Sequence, residues 1–288
     1  METIGFIGAG TVGTALAIRL SEKGYPVIAA ASKRLSSAER LASQLKGCEV
    51  CNSAQAVADI ADIVFVTTPD DVIAIVAEQI TWRTNQSVVH CSGAESLDIL
   101  EPAAKSGAQT GSMHPLQSFA SVEVAIKNLT GSAFGLEGES PLLNTLKDIV
   151  NVLGGHWVEL KADDKVLYHT AAVFACNYMI TGVKIATDLW ESFGIPPAEA
   201  TNDLLPLIRG TVNNLSNIGL PNCLTGPIAR GDIGTIKRHL AALKARSPEL
   251  LPAYKEMGLQ TIPIAEAKGK IDKEKATELR NVLMHYND

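Results

Sequence analysis

Residues 3–13 read T-I-G-F-I-G-A-G-T-V-G, a short apolar strand that runs straight into Gly8-x-Gly10-x-x-Gly13. Leu16, Ala17 and Leu20 then recur at helical spacing. The string constrains the fold because each glycine answers a separate demand. Gly8 permits a tight turn off the strand, Gly10 lets a pyrophosphate approach the backbone, and Gly13 lets a helix pack closely on the strand. A pyrophosphate held by Gly8, Ala9, Gly10, Thr11, Val12 and Gly13 would sit on a helix N-terminus, where free N–H groups and the dipole favour an anion. The spacing alone would fit any glycine-rich turn. Set between a strand and a helix and followed by a second strand, it points to dinucleotide binding.

The first half continues to alternate. Strands are expected near 2–7, 26–31, 48–51, 62–67, 86–91 and 109–112, with helices near 11–23, 36–46, 53–58, 70–79 and 96–105. A further strand–helix–strand unit follows at 132–136, 141–153 and 156–160. This is the pattern of a doubly wound parallel α/β sheet. Beyond Leu160 the strand signal nearly vanishes, and helices are expected near 162–193, 197–217, 232–245, 248–265 and 272–285. The chain therefore divides into a dinucleotide domain (1–160) and an all-helical domain (161–288).

Bulk properties exclude several classes. With 25 basic and 31 acidic residues in 288, the net charge is −6, which argues against nucleic acid or an anionic membrane as partner. The strand near residue 3 leaves no room for a signal or transit peptide. Residues 171–186 are strongly apolar but interrupted by Asn177, Tyr178 and Lys184. They read as too short and too polar for a bilayer span, and as a helix buried on all sides. A soluble, cytoplasmic protein is expected. Five cysteines suit reduced thiols, and Cys48-Glu-Val-Cys51 lacks the second pair that a structural zinc site needs.

The second strand indicates which nucleotide. A NAD-preferring domain ends that strand in Asp or Glu, which binds the ribose 2′-hydroxyl. Here it ends in Ser32-Lys33-Arg34, and no acidic residue lies between Glu22 and Glu39. Serine and two cations suit a 2′-phosphate, so NADP is expected over NAD.

Ligands of such sheets lie beyond the carboxyl ends of the strands. Thr67-Thr68-Pro69-Asp70 closes the fourth strand, with Thr67, Thr68 and Pro69 passing over the cofactor and Asp70 available as a helix cap. Ser92, in His90-Cys91-Ser92-Gly93, could bind a substrate oxygen or the nicotinamide amide, or serve as an N-cap. His114, before Pro115, has a restricted backbone and, at an ordinary pKa near 6.5, could exchange a proton during hydride transfer; the alternative is a buried histidine satisfied by backbone. Lys165 and His169 stand one helical turn apart on one face, with Asn177 two turns on. Arg230, between Ala229 and Gly231, could clamp a substrate carboxylate or be a loop charge. His90, His114, His169 and His239 lack paired ligand spacing, so no metal is expected.

Together the strings H-C-S-G, G-S-M-H-P-L-Q-S-F, Y-H-x-A-A-V-F-A-C-N and L-T-G-P-I-A-R-G-D resemble an uncharacterised family that joins a Rossmann-like domain to a helical domain of unknown function. The N-terminal half also resembles pyrroline-5-carboxylate reductases and deazaflavin-dependent NADP oxidoreductases. Those resemblances imply a helical domain of the 6-phosphogluconate dehydrogenase C-terminal type, a homodimer formed through it, and a small-molecule substrate. A G-x-H-P segment like that of prephenate dehydrogenases implies that His114 contacts a reacting hydroxyl. Lys165 fits the lysine of hydroxyacid dehydrogenases and ketopantoate reductases, but His169 stands where those proteins carry Asn. An NADP-dependent oxidoreductase is the expectation, with a non-catalytic NADP-binding regulator as the alternative.

Overall fold

A computed structural model describes residues 1–286. The chain forms two compact units, one ending at Tyr178 and the other beginning at Met179. That division falls later than the loss of strand signal suggests, because the first turns after Leu160 pack on the sheet.

In the first unit the strands are β1 (Ile4–Ile7), β2 (Val27–Ala31), β3 (Glu49–Val50), β4 (Ile63–Val66), β5 (Ser87–His90), β6 (Gln109–Leu116), β7 (Ala133–Gly138) and β8 (His156–Glu159). They form one sheet in the order β3-β2-β1-β4-β5-β6-β7-β8. Every pair is parallel except β6–β7, which is antiparallel. The order reverses between β1 and β4, where the right-handed crossovers diverge and a crevice opens.

Helices cover both faces: α1 (Thr11–Glu22), α2 (Leu35–Ala42), α3 (Ala54–Ile60), α4 (Asp70–Gln79), α5 (Glu101–Lys105), α6 (Val122–Asn128) and α7 (Leu142–Val152). Strands buried on both sides read as continuous apolar runs. Ile4 and Phe6 join one core with Leu16, Phe65 and Leu146. Ile7, Val64 and Val66 join the other with Val57 and Ile73. Helix α6 escapes the periodicity because it has only two turns; its start is marked by Ser121, whose hydroxyl accepts from the Val124 N–H at 3.3 Å.

The second unit is helical. Its core joins Ile236 and Leu240 of α11 (Ile233–Arg246), Ile262 and Ala265 of α12 (Leu251–Ala267) and Leu279 and Leu283 of α13 (Lys273–Met284). A groove of about 550 Å³ opens on this unit, lined by residues such as Leu189, Phe193, Leu243, Tyr254 and Met257.

The chain passes from the first unit to the second in one long helical stretch: α8 (Lys165–Ala172), a wider π turn (Val173–Asn177) and α9 (Tyr178–Glu191), followed by α10 (Pro197–Ile218). Two expectations fail here. Residues 171–186 are not enclosed within this chain: Phe174 is 63% exposed and Ile180 62%. Apolar residues on all sides signal coverage, but nothing among the described residues encloses them. The helix runs where it was expected, but the reading of its apolar stretch as too short and too polar for a bilayer does not hold by length and composition. Ala162–Glu191 is long and apolar enough, by length and composition, to cross a bilayer; yet Lys165 near its start is buried against the sheet.

Candidate active site

At the β1 end of the crevice the glycines do what their spacing requires. Gly8 has φ +108°, and a Cβ there would lie 2.7 Å from the Thr67 backbone. At Gly13 a Cβ would lie 2.4 Å from the Gly8 carbonyl, so α1 packs hard against the loop. Nothing lies within 4 Å of where a Gly10 Cβ would stand, and no side chain caps α1. Its first N–H groups are therefore available to an anion. The Thr67 hydroxyl donates to the Gly8 carbonyl at 2.6 Å and ties β4 to the loop. Thr68 Oγ1 is buried without a partner among the described residues. Pro69 is the N-cap of α4. Lys33 and Arg34 are exposed just beyond β2, and Ser32 is half-buried. Together these groups fit a dinucleotide with an extra phosphate.

The carboxyl ends of β5 and β6 carry a second cluster. β6 runs four residues past its pairing with β5, and that extension pairs His114 with Gly135 of β7. The His114 Nδ1 lies 3.0 Å from the Tyr168 hydroxyl. The His169 ring stands 5.9 Å from that of His114, edge to face. Gly93 lies between the two imidazoles: a Cβ there would stand 2.8 Å from His114 Nε2 and 2.7 Å from His169 Cδ2. His114, Tyr168, His169 and Gly93 thus form one site within the first unit.

Beneath it lies a buried ionic group. Lys165 is 1% exposed and donates to the Ser112 hydroxyl at 2.6 Å. Its ammonium pairs with Glu137 at 3.3 Å. Burial pulls the lysine pKa down and Glu137 opposes this. Glu137 and Tyr168 are functional neighbours that sequence reasoning passed over. Glu137 sits one residue beyond the expected end of its strand. A lysine buried at a helix start demands a carboxylate, and that demand was the available signal.

Three site expectations change. Ser92 is saturated: it donates to Asp70 at 2.7 Å and accepts from the Ala94 and Glu95 N–H groups. A hydroxyl has one donor and two acceptor positions, so the cap reading is the one this geometry favours, and Asp70 serves Ser92 rather than its own helix. His114 does not keep an ordinary pKa. Burial, then the neighbouring His169 and Lys165, hold it at about 4, so it is neutral at pH 7. Asn177 is exposed at the end of the π turn; the wider turn alters the helical phase used to place it.

His90 is fully buried and takes the Ser92 N–H on Nδ1 at 3.2 Å. Burial lowers its pKa to about 3. Arg230 belongs to the second unit, exposed on the turn Ile228–Arg230 before Asp232, which caps α11 through Thr235. Among the described residues no group of three or more His, Cys, Asp or Glu is placed to hold a metal. Cys48 and Cys51 are free thiols, and burial pushes Cys48 up to about 11.

The architecture is that of a Rossmann-like sheet followed by a helical domain. Residues 2–115 match the Rossmann-like domain, and residues 132–261 match a domain of unknown function, DUF2520; the chain carries both. No curated protein matches it in sequence. Among solved structures it is similar to BF3122 from Bacteroides fragilis, described as a candidate NADP oxidoreductase. That match has 25% identity and a TM-score of 0.73, over 91% of this chain and 98% of that one. Protein TM1727 from Thermotoga maritima is 26% identical with a TM-score of 0.75, over 92% and 99%. A reductive aminase from Aspergillus terreus, in complex with NADPH and ethyl levulinate, shares the fold at 15% identity and a TM-score of 0.65, over both full lengths.

Proposed function

We propose that the chain is an NADP-dependent oxidoreductase moving a hydride between the nicotinamide and a small polar carbonyl, imine or hydroxy compound. One observation carries the reading: His114 and His169 converge on Gly93 at the carboxyl edge of a sheet whose first loop is built for a pyrophosphate. The likeness to the Bacteroides fragilis protein supports it. In this reading the glycine loop and α1 hold the pyrophosphate, Ser32, Lys33 and Arg34 hold the 2′-phosphate, and Thr67, Thr68 and Pro69 flank the nucleotide. The nicotinamide, when bound, supplies or takes the hydride. His114 and His169 orient the reacting heteroatom and hold its proton. Lys165 keeps Ser112 and Glu137 in place beneath them.

The oxidoreductase works as a homodimer in this proposal. Val212, Leu215 and Ile218 of α10 recur every three residues and are about half exposed. Each of these residues, like Phe174, Tyr178 and Ile180 of the long helix, is an exposed apolar group of the kind that a second copy would cover. Five free thiols suit a reducing cytoplasm.

Two measurements test the reading. NADPH should bind at least tenfold more tightly than NADH, about 1.4 kcal/mol, and Lys33→Ala with Arg34→Ala should erase most of the difference; equal affinities by calorimetry would refute the cofactor assignment. Some member of a carbonyl and imine panel should drive NADPH oxidation. His114→Ala should then lower turnover by at least about a hundredfold while cofactor affinity stays unchanged. A silent panel, together with NADP-dependent capture of a stable partner, would favour the regulator instead.

A further inference from the structure

We infer that Tyr168 is a positioning residue that fixes the tautomer of His114, so that the imidazole presents an Nε2–H donor to the space above Gly93. The inference rests on the reading of His114 as the group that meets the substrate, and it narrows that substrate to a carbonyl or imine whose lone pair can accept.

A neutral imidazole carries one proton, and the partner of one nitrogen decides where it resides. His114 Nδ1 faces the Tyr168 hydroxyl at 3.0 Å, with the two rings perpendicular at 87°. On its other side the phenol packs against Gly135, which pairs with His114 across β6 and β7. The close fit requires glycine there, since a Cβ at Gly135 would lie 3.0 Å from the phenol oxygen. A buried phenol places its own proton on an acceptor, and among the described residues His114 Nδ1 is the one within hydrogen-bond distance of this hydroxyl. Burial pushes the phenol up to about 12 while His114 is held near 4, so both are neutral at pH 7. The imidazole proton therefore resides on Nε2.

Nε2 is also the nitrogen nearest the position that a side chain at residue 93 would fill, 2.8 Å away. Because residue 93 is glycine, an acceptor atom standing there lies within hydrogen-bond distance of Nε2. Gly135 packing on Tyr168, and Tyr168 bonded to His114, thus aim one donor at one point, and all three residues lie in the first unit.

Nitrogen-15 NMR of the full-length protein, labelled at histidine and held at pH 7, reads the tautomer directly. The His114 signals are identified by their loss in His114→Gln. The wild type should show the Nε2–H form, and Tyr168→Phe should convert His114 to the Nδ1–H form or a mixture. With an active substrate, kcat should fall at least tenfold in Tyr168→Phe while NADPH affinity is unchanged. An Nδ1–H wild type, or an unchanged Nε2–H form in Tyr168→Phe, would overturn the inference. The wild-type spectrum alone decides the first point should the variant not fold. The spectrum is independent of turnover, so a protein with the Nε2–H form but no reductase activity would refute the proposed function and leave this inference standing.

Discussion

Lys165→Met is expected to destabilise the protein by about 3–5 kcal/mol, because removing one partner of a buried ion pair strands the other charge. Glu137 is 11% exposed and Ser112 is fully buried, so neither can turn to water without moving β6 or β7. Most of the cost is then the carboxylate's desolvation rather than the loss of attraction. Adding Glu137→Gln to Lys165→Met should recover a large part of it, which a double-mutant cycle from urea unfolding would show. Turnover should not recover with stability if the lysine also holds the site above it. A loss below about 1 kcal/mol for the single change would mean that the pair is solvated and the buried cluster is not as described.

Acidification should weaken the fold well before the carboxylates titrate. His90 and His114 bind protons more weakly when folded, near 3 and 4, than at the ordinary 6.5 of the unfolded chain. Above pH 6.5 neither state is protonated and the full stability is present. Between pH 6.5 and about 4 the unfolded state binds protons that the folded state refuses, so stability falls with pH. One pKa unit corresponds to about 1.4 kcal/mol, and the two imidazoles together should cost on the order of 2–5 kcal/mol between pH 7 and 4.5. Replacing His114 by Gln should flatten part of that slope. A stability that stays level across the window would show that both rings can reach solvent or accept a proton in place.

The sheet was legible because its strands are short apolar runs, and because Gly8 and Gly13 meet demands that no other residue meets. His114, His169 and Lys165 were legible as polar residues at strand and helix ends. Their supports were not. Tyr168 reads as ordinary apolar filling until Gly135 and His114 close around its hydroxyl. Glu137 looks like a strand-end charge until the antiparallel register sets it opposite Ser112. Both depend on pairing across β6 and β7, a long-range contact that no local period encodes. The apolar helix misled for the opposite reason: its pattern reports that something covers it, without saying whether the cover comes from the same chain.

The antiparallel β6–β7 junction also limits how this protein can be taken apart. The Rossmann-like match stops at residue 115 and the second match starts at 132, so the seam between them invites modular exchange of one half for another. His114 belongs to the first segment, while Gly135, Glu137, Lys165 and Tyr168 all belong to the second. A graft made at that seam would keep the phosphate loop intact yet leave Ser112 and His114 without the residues that hold them. It would also bare the edge of β6 as an unpaired strand, a template for aggregation. A recombinant hybrid that keeps the His114 cluster with its supports carries the first unit whole, to residue 178, and one cut at a shorter boundary inherits the nucleotide cradle without them.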